Sequence, residues 1–116
     1  MFELNATRTV YLHHSAIDFR KSISGLASLV EHGLGLNAFA NAVFVFANRR
    51  RDRIKILGWD VNGFWLLHKR LEQGTFAWPT EPDIAPVEMG SADLLLLLAG
   101  TDLSHTRRRR WYERVA

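Results

Sequence analysis

Val43-Phe44-Val45-Phe46-Ala47, then Asn48-Arg49-Arg50-Arg51-Asp52, then Arg53-Ile54-Lys55-Ile56-Leu57-Gly58-Trp59 is the stretch on which the fold turns. The first run is β-branched and aromatic throughout, and the third alternates, so both read as strands. The polar, arginine-rich segment between them reads as the tip of a hairpin. Period two puts Arg53, Lys55, Leu57 and Trp59 on one face of the second strand, and Ile54 and Ile56 on the other.

Working outward, Asp60-Val61-Asn62-Gly63 predicts a second turn, with Asn-Gly suited to positive φ. Phe64 to Leu71 predicts the next strand, Gln73-Gly74 another turn, and Thr75 to Trp78 a last strand of an antiparallel meander. On the N-terminal side, Thr9 to His13 predicts a short strand. Ser15, with Asp18 three residues on, reads as a capping box opening a helix. Phe19, Ile23, Leu26, Ala27, Val30 and Leu34 then recur at helical spacing, and Gly33 supplies the stop. On the C-terminal side all three prolines fall between Pro79 and Pro86 beside Glu81, Asp83 and Glu88, predicting an extended acidic linker. Ser91 then caps a short helix, with Asp93 in its first turn and Leu94 to Leu98 as its body. That helix lacks a polar face, so it packs into its own core or docks on a partner.

The expected architecture is therefore an α+β single domain. It has an antiparallel four- to five-stranded meander sheet, an N-terminal helix and a short C-terminal leucine-rich helix, spanning residues 1–103, with a basic, flexible tail over 104–116. With 116 residues and 13.3 kDa, the chain is sized for one core. It has no cysteine, which excludes disulfide scaffolds, thiolate metal sites and thiol catalysis. Apolar runs such as Leu94 to Ala99 fall far short of the roughly 20 residues of a membrane helix. The reading is a cytoplasmic protein with no membrane partner.

Charge is unevenly distributed. The net formal charge is +3, but residues 1–70 carry +5, residues 71–106 carry −6 and residues 107–116 carry +4. Arginine dominates the cations, and its planar fork suits phosphate. Two clusters stand out, Arg49-Arg50-Arg51-Asp52-Arg53-Ile54-Lys55 and Arg107-Arg108-Arg109-Arg110-Trp111-Tyr112, the second with aromatics able to stack on bases. They point to nucleic acid; the plainer alternative is a solvated hairpin tip and a solubilising tail. No segment resembles a major-groove recognition helix, so backbone contact is expected rather than base readout.

Other motifs yield nothing. Gly33-Leu34-Gly35-Leu36-Asn37-Ala38 matches a dinucleotide fingerprint in letters but follows a helix instead of a strand. His13, His14, His32, His68 and His105 lack metal-ligand spacing. Asp18, Asp52, Asp60 and Asp93 make a weak carboxylate set for phosphoryl transfer, because helix termini account for two of them. The expectation is no catalytic residue, no metal and no cofactor.

The stretch Phe46 to Pro79, with Asp18-Phe19-Arg20-Lys21 and Gly25-Leu26-Ala27 upstream and Leu97-Leu98-Ala99-Gly100-Thr101-Asp102 downstream, resembles the TnpB-type (Orf2-like) accessory protein of bacterial insertion sequences of the IS66 family. Three positions depart from the family's pattern, Asn37-Ala38 for its usual Asp-Pro and Thr75 for a basic residue. The resemblance implies a role in transposition beside a separate transposase. It carries no agreed catalytic residues and marks Arg20, Lys21, Arg49, Arg50, Arg53, Lys55, Lys69 and Arg70 as functional positions. Together with the charge pattern it yields an expectation: a non-catalytic DNA-binding accessory factor that meets element ends and the transposase, with a homodimer through strand edges possible. Arg49, Arg50, Arg51, Arg53 and Lys55 would contact phosphates, and Lys69 and Arg70 would extend the patch. The alternative is a protein adaptor that binds the transposase without touching DNA.

Overall fold

A computed structural model describes residues 8–78 and 86–99. Strand β1 spans Thr9–Leu12, and helix α1 spans Ile23–Ser28 and runs on as a π-helical turn over Leu29–Gly33. Strands β2 (Ala42–Ala47), β3 (Arg53–Asp60) and β4 (Gly63–Arg70) follow, then β5 (Val87–Met89) and helix α2 (Ser91–Leu98). All five strands form one sheet in the order β4-β3-β2-β1-β5.

The α+β class and the two central hairpins match expectation, with β2, β3 and β4 antiparallel in the expected order. The sheet is nevertheless mixed, because β1 pairs parallel to β2, with Thr9 opposite Ala42 and Leu12 opposite Val45. The intervening chain is long enough to cross over one face and return, which a parallel pair requires. Strand β2 becomes central, with α1 covering one face and α2 the other, and every residue from Ala42 to Ala47 is buried. A continuous apolar run is the signature of such doubly covered strands.

The meander ends one strand early. Thr75–Trp78 pairs with no neighbouring strand: the Phe76 N–H donates to the Arg51 carbonyl (2.7 Å), and the Trp78 indole donates to the His13 carbonyl (3.3 Å). Phe76 and Trp78 are instead pulled into the core formed with Ile54, Ile56, Leu94 and Leu97. Burying two large aromatic rings outweighs a few ladder hydrogen bonds at a sheet edge. The fifth strand comes from the expected linker: Val87–Met89 pairs antiparallel with β1.

The N-terminal helix starts later than the capping pattern suggested. After β1 the chain keeps bonding alongside β2, His13 N–H to the Val45 carbonyl (2.8 Å) and Ile17 N–H to the Ala47 carbonyl (3.0 Å). Extended backbone there precludes a helix at Ser15. Asp18 turns the chain by accepting the Arg20 N–H (2.9 Å), and α1 begins at Ile23. Gly33 does end the helical run, but the left-handed residue is Gly35 (φ +67). In the second turn the positive φ sits on Val61 (φ 53), with neither Asn62 nor Gly63 left-handed. Helix α2 is preceded by Gly90, with Ser91 as its first residue. It buries Leu94 and Leu97 in the core and leaves Leu95 exposed. Among the described residues no helix is long and apolar enough to cross a membrane.

Candidate nucleic-acid interface

The β2–β3 loop is held from within. The Asn48 side-chain oxygen accepts the N–H groups of Asp52 (3.1 Å) and Arg53 (3.0 Å), and its amide donates to the Asp52 carboxylate (2.6 Å). That bond to Asn48, helped by Arg50 and Arg53, holds the Asp52 carboxyl below its ordinary range. The Leu71 N–H donates to the Asp52 carbonyl (2.8 Å), as Phe76 does to Arg51, so the loop is also clamped by the chain after β4. Sequence reasoning passed over Asn48 and Asp52 as site-builders, although both types favour turns by bonding local backbone. Their neighbourhood with the arginines was the available signal.

On that frame Arg49 and Arg50 are exposed, as is Arg53 at the start of β3. None of the three forms a close ion pair with a carboxylate of a described residue, although Arg50 and Arg53 act on Asp52 through their charge. Arg51 departs from the group. Its backbone is left-handed (φ 61), and its guanidinium lies over the Trp78 ring at 5.6 Å, folded back onto the body.

Lys55 also departs, more completely. It is 8% exposed, and its ammonium donates to the carbonyls of Phe19 (2.7 Å) and Lys21 (2.8 Å) while lying 4.8 Å from the Phe19 ring. A cation so enclosed anchors the segment before α1 and is not presented to an external phosphate. The expected contact through Lys55 is corrected on that ground.

Strand alternation divides Lys69 from Arg70. Arg70 stands opposite Arg53, and His68 opposite Lys55, on the α1 face; Lys69 stands opposite Ile54 on the other. There the Lys69 ammonium donates to the Leu98 carbonyl, capping the end of α2 where a cation is favoured. Arg70 donates through Nε to Glu72 (3.0 Å). Arg20 is exposed and grips Asp18 at 2.6 Å, a bond that pulls the Asp18 carboxyl down to about 2. Lys21 is exposed, and its carbonyl is one of those bound by Lys55. Phe19 meets the His68 ring edge-on at 5.5 Å, so the Asp18–Lys21 turn sits beside the cations of β3 and β4.

The arrangement thus gathers Arg49, Arg50, Arg53 and Arg70 near one end, with Arg20 and Lys21 flanking and Arg51, Lys55 and Lys69 drawn into the fold. The second arginine cluster, Arg107 to Arg110, lies outside the described residues, as does the whole expected tail. Among the described residues no three His, Asp or Glu side chains are gathered so as to hold a metal ion.

Fold and surface define a class, a small mixed-sheet α+β domain carrying a cationic hairpin end. The chain belongs to the IS66 Orf2-like protein family, whose model matches residues 8–108. Membership gives it an accessory role related to insertion-sequence transposition. It is similar to the uncharacterized protein y4jC of Sinorhizobium fredii (strain NBRC 101917 / NGR234), 36% identical over 93 residues, covering 80% of this chain and 79% of that protein. It is also similar to the uncharacterized protein y4hO of the same organism, 33% identical over 96 residues, covering 83% of each. No solved structure matches it.

Proposed function

We propose that the protein serves transposition as a non-catalytic DNA-binding factor, gripping the sugar–phosphate backbone of element DNA with the β2–β3 loop while the transposase acts beside it in the cytoplasm. The observation that carries this reading is the exposed, internally braced loop bearing Arg49 and Arg50, with Arg53 and Arg70 on the strands behind it. Bracing by Asn48 and Asp52 lowers the ordering cost of contact, and exposed guanidinium groups suit phosphate oxygens. Nothing in the loop is shaped to read bases, so affinity falls on backbone contact and is strongly salt-dependent.

Filter binding of a duplex across a salt series tests it. The log–log slope should lose about 0.9 for each phosphate contact removed, so R49A/R50A should flatten it by nearly two units. No duplex retention at low salt, or an unchanged slope in the double variant, overturns the reading. An adaptor role draws on a different observation. Phe39, Trp59 and Phe64 pack together at the other end of the β3–β4 hairpin, Trp59 meeting both phenylalanines in T-shaped contacts; Phe39 is 52% exposed, and Trp65 and Leu67 are exposed on edge strand β4. Capture of the transposase by R49A/R50A as efficiently as by the unaltered protein, and its loss in F39A, would assign protein contact to that end.

A further inference from the structure

Strands β3 and β4 set two like charges against each other, Arg53 opposite Arg70, and place Lys55 opposite the titratable ring of His68. Directly opposed like charges weaken a sheet, so such a pairing calls for a compensating anion. The side chains of Arg53, His68 and Arg70 line an open depression of about 360 Å³ on the α1 face, immediately behind the arginine loop. We propose that this depression is a phosphate subsite, in which His68 accepts a proton as a phosphodiester of the bound nucleic acid enters between Arg53 and Arg70. The inference rests on the DNA-binding reading and adds to it a residue, His68, that neither the charge clusters nor the family motif singled out.

The groups facing His68 come from three elements and are mostly cationic, which attracts an anion while opposing protonation of the ring in its absence. From β3 come Arg53 and the buried ammonium of Lys55, from β4 comes Arg70, and from the turn before α1 comes the apolar ring of Phe19 beside the paired Asp18 and Arg20. Among the described residues two further carboxylates act on these arginines: Glu72 accepts from Nε of Arg70 at 3.0 Å, so this guanidinium accommodates an oxyanion, and Asp52 interacts electrostatically with Arg53. Partial burial, and then the charges of Lys55, Arg53 and Arg70, hold the His68 imidazole pKa below the usual histidine range. A phosphate brings the opposite charge and favours the imidazolium, which donates from both ring nitrogens. Protonation and anion binding are then coupled, and affinity rises as pH falls.

The test follows the His68 ring by NMR and duplex retention by filter binding. Inorganic phosphate at neutral pH, against chloride at matched ionic strength, should move the His68 ring signals toward imidazolium while those of His13, His14 and His32 stay in place, and a duplex should do the same. Phosphodiesters keep a constant charge over the range used. Retention should therefore tighten roughly three- to tenfold between about pH 7.5 and pH 6 in the unaltered protein, and stay flat in His68→Gln. A His68 signal that ignores both anions, or a pH dependence that survives in His68→Gln, overturns the subsite. If R49A/R50A still weakens duplex binding in that case, the DNA reading stands without it. A response to inorganic phosphate alone, with none to duplex, also overturns the proposal and assigns the depression to a free phosphate.

Discussion

Replacing Lys55 with methionine separates a cation that braces the fold from one that touches DNA. Methionine keeps the length of the buried stem and removes the ammonium, which donates to Phe19 (2.7 Å) and Lys21 (2.8 Å) and lies 4.8 Å from the Phe19 ring. Two hydrogen bonds from a charged donor contribute about 1.5–3 kcal/mol each, and the ring contact adds about 0.5–2 kcal/mol. Against this stands the cost of keeping an ammonium largely out of water, which methionine does not incur, and Phe19 and Lys21 lie near enough the surface for water to replace part of the loss. The balance is a destabilisation of about 2 kcal/mol, which in a domain of this size lowers Tm by roughly 10 °C. Calorimetry measures that, and amide exchange should quicken in the turn before α1. At a temperature where the variant is folded, the salt dependence of duplex binding should be unchanged. An unchanged Tm together with a slope shallower by about 0.9 would refute the reasoning and restore Lys55 as a phosphate ligand.

Three further outcomes are expected. Asn48→Ala removes the three bonds that organise the arginine loop, so it should cost about 1–2 kcal/mol in denaturant unfolding and let the Asp52 carboxyl rise toward its ordinary value; an Asp52 titration that does not move contradicts the bracing role. Val61 is β-branched, 87% exposed and left-handed (φ 53), so Val61→Asn should relieve strain of about 1 kcal/mol and raise Tm by about 4–6 °C, whereas a lower Tm would show that the side chain stabilises the turn. The Asp18 carboxyl should titrate at about 2 and return to its usual range in Arg20→Ala, as followed by carbon NMR. Because the folded-state value is lowered, the pair's contribution is present above the usual carboxylate range and fades as pH falls toward 2. A midpoint near 3.8 with Arg20 in place contradicts the pair.

Candidate-site residues divide by how far their environment depends on remote chain. Arg49 and Arg50 are exposed because a tight loop between two strands leaves its tip in solvent, which local pattern reveals. Lys55 reads identically as a charged residue in a strand, yet its fate depends on two carbonyls from the turn before α1, more than thirty positions away. Lys69 and Arg70 are neighbours in sequence and lie on opposite faces, a separation implied by period two that the charge-cluster reading overlooked. His68 looked like an ordinary strand histidine until the register set it against Lys55 with Arg53 and Arg70 beside it.

Sequence alone determined the α+β class, the β2–β3–β4 hairpins, the leucine helix, the exposed arginine loop and the family, because turn chemistry, side-chain periodicity and ordered motifs are properties of adjacent residues. Tertiary structure alone decided that β1 lies parallel to β2, that Val87–Met89 supplies the fifth strand in place of Thr75–Trp78, and which basic side chains reach solvent. Those outcomes depend on which distant backbone groups and apolar faces find each other. That competition is settled by burial across the whole core, and local pattern does not encode it.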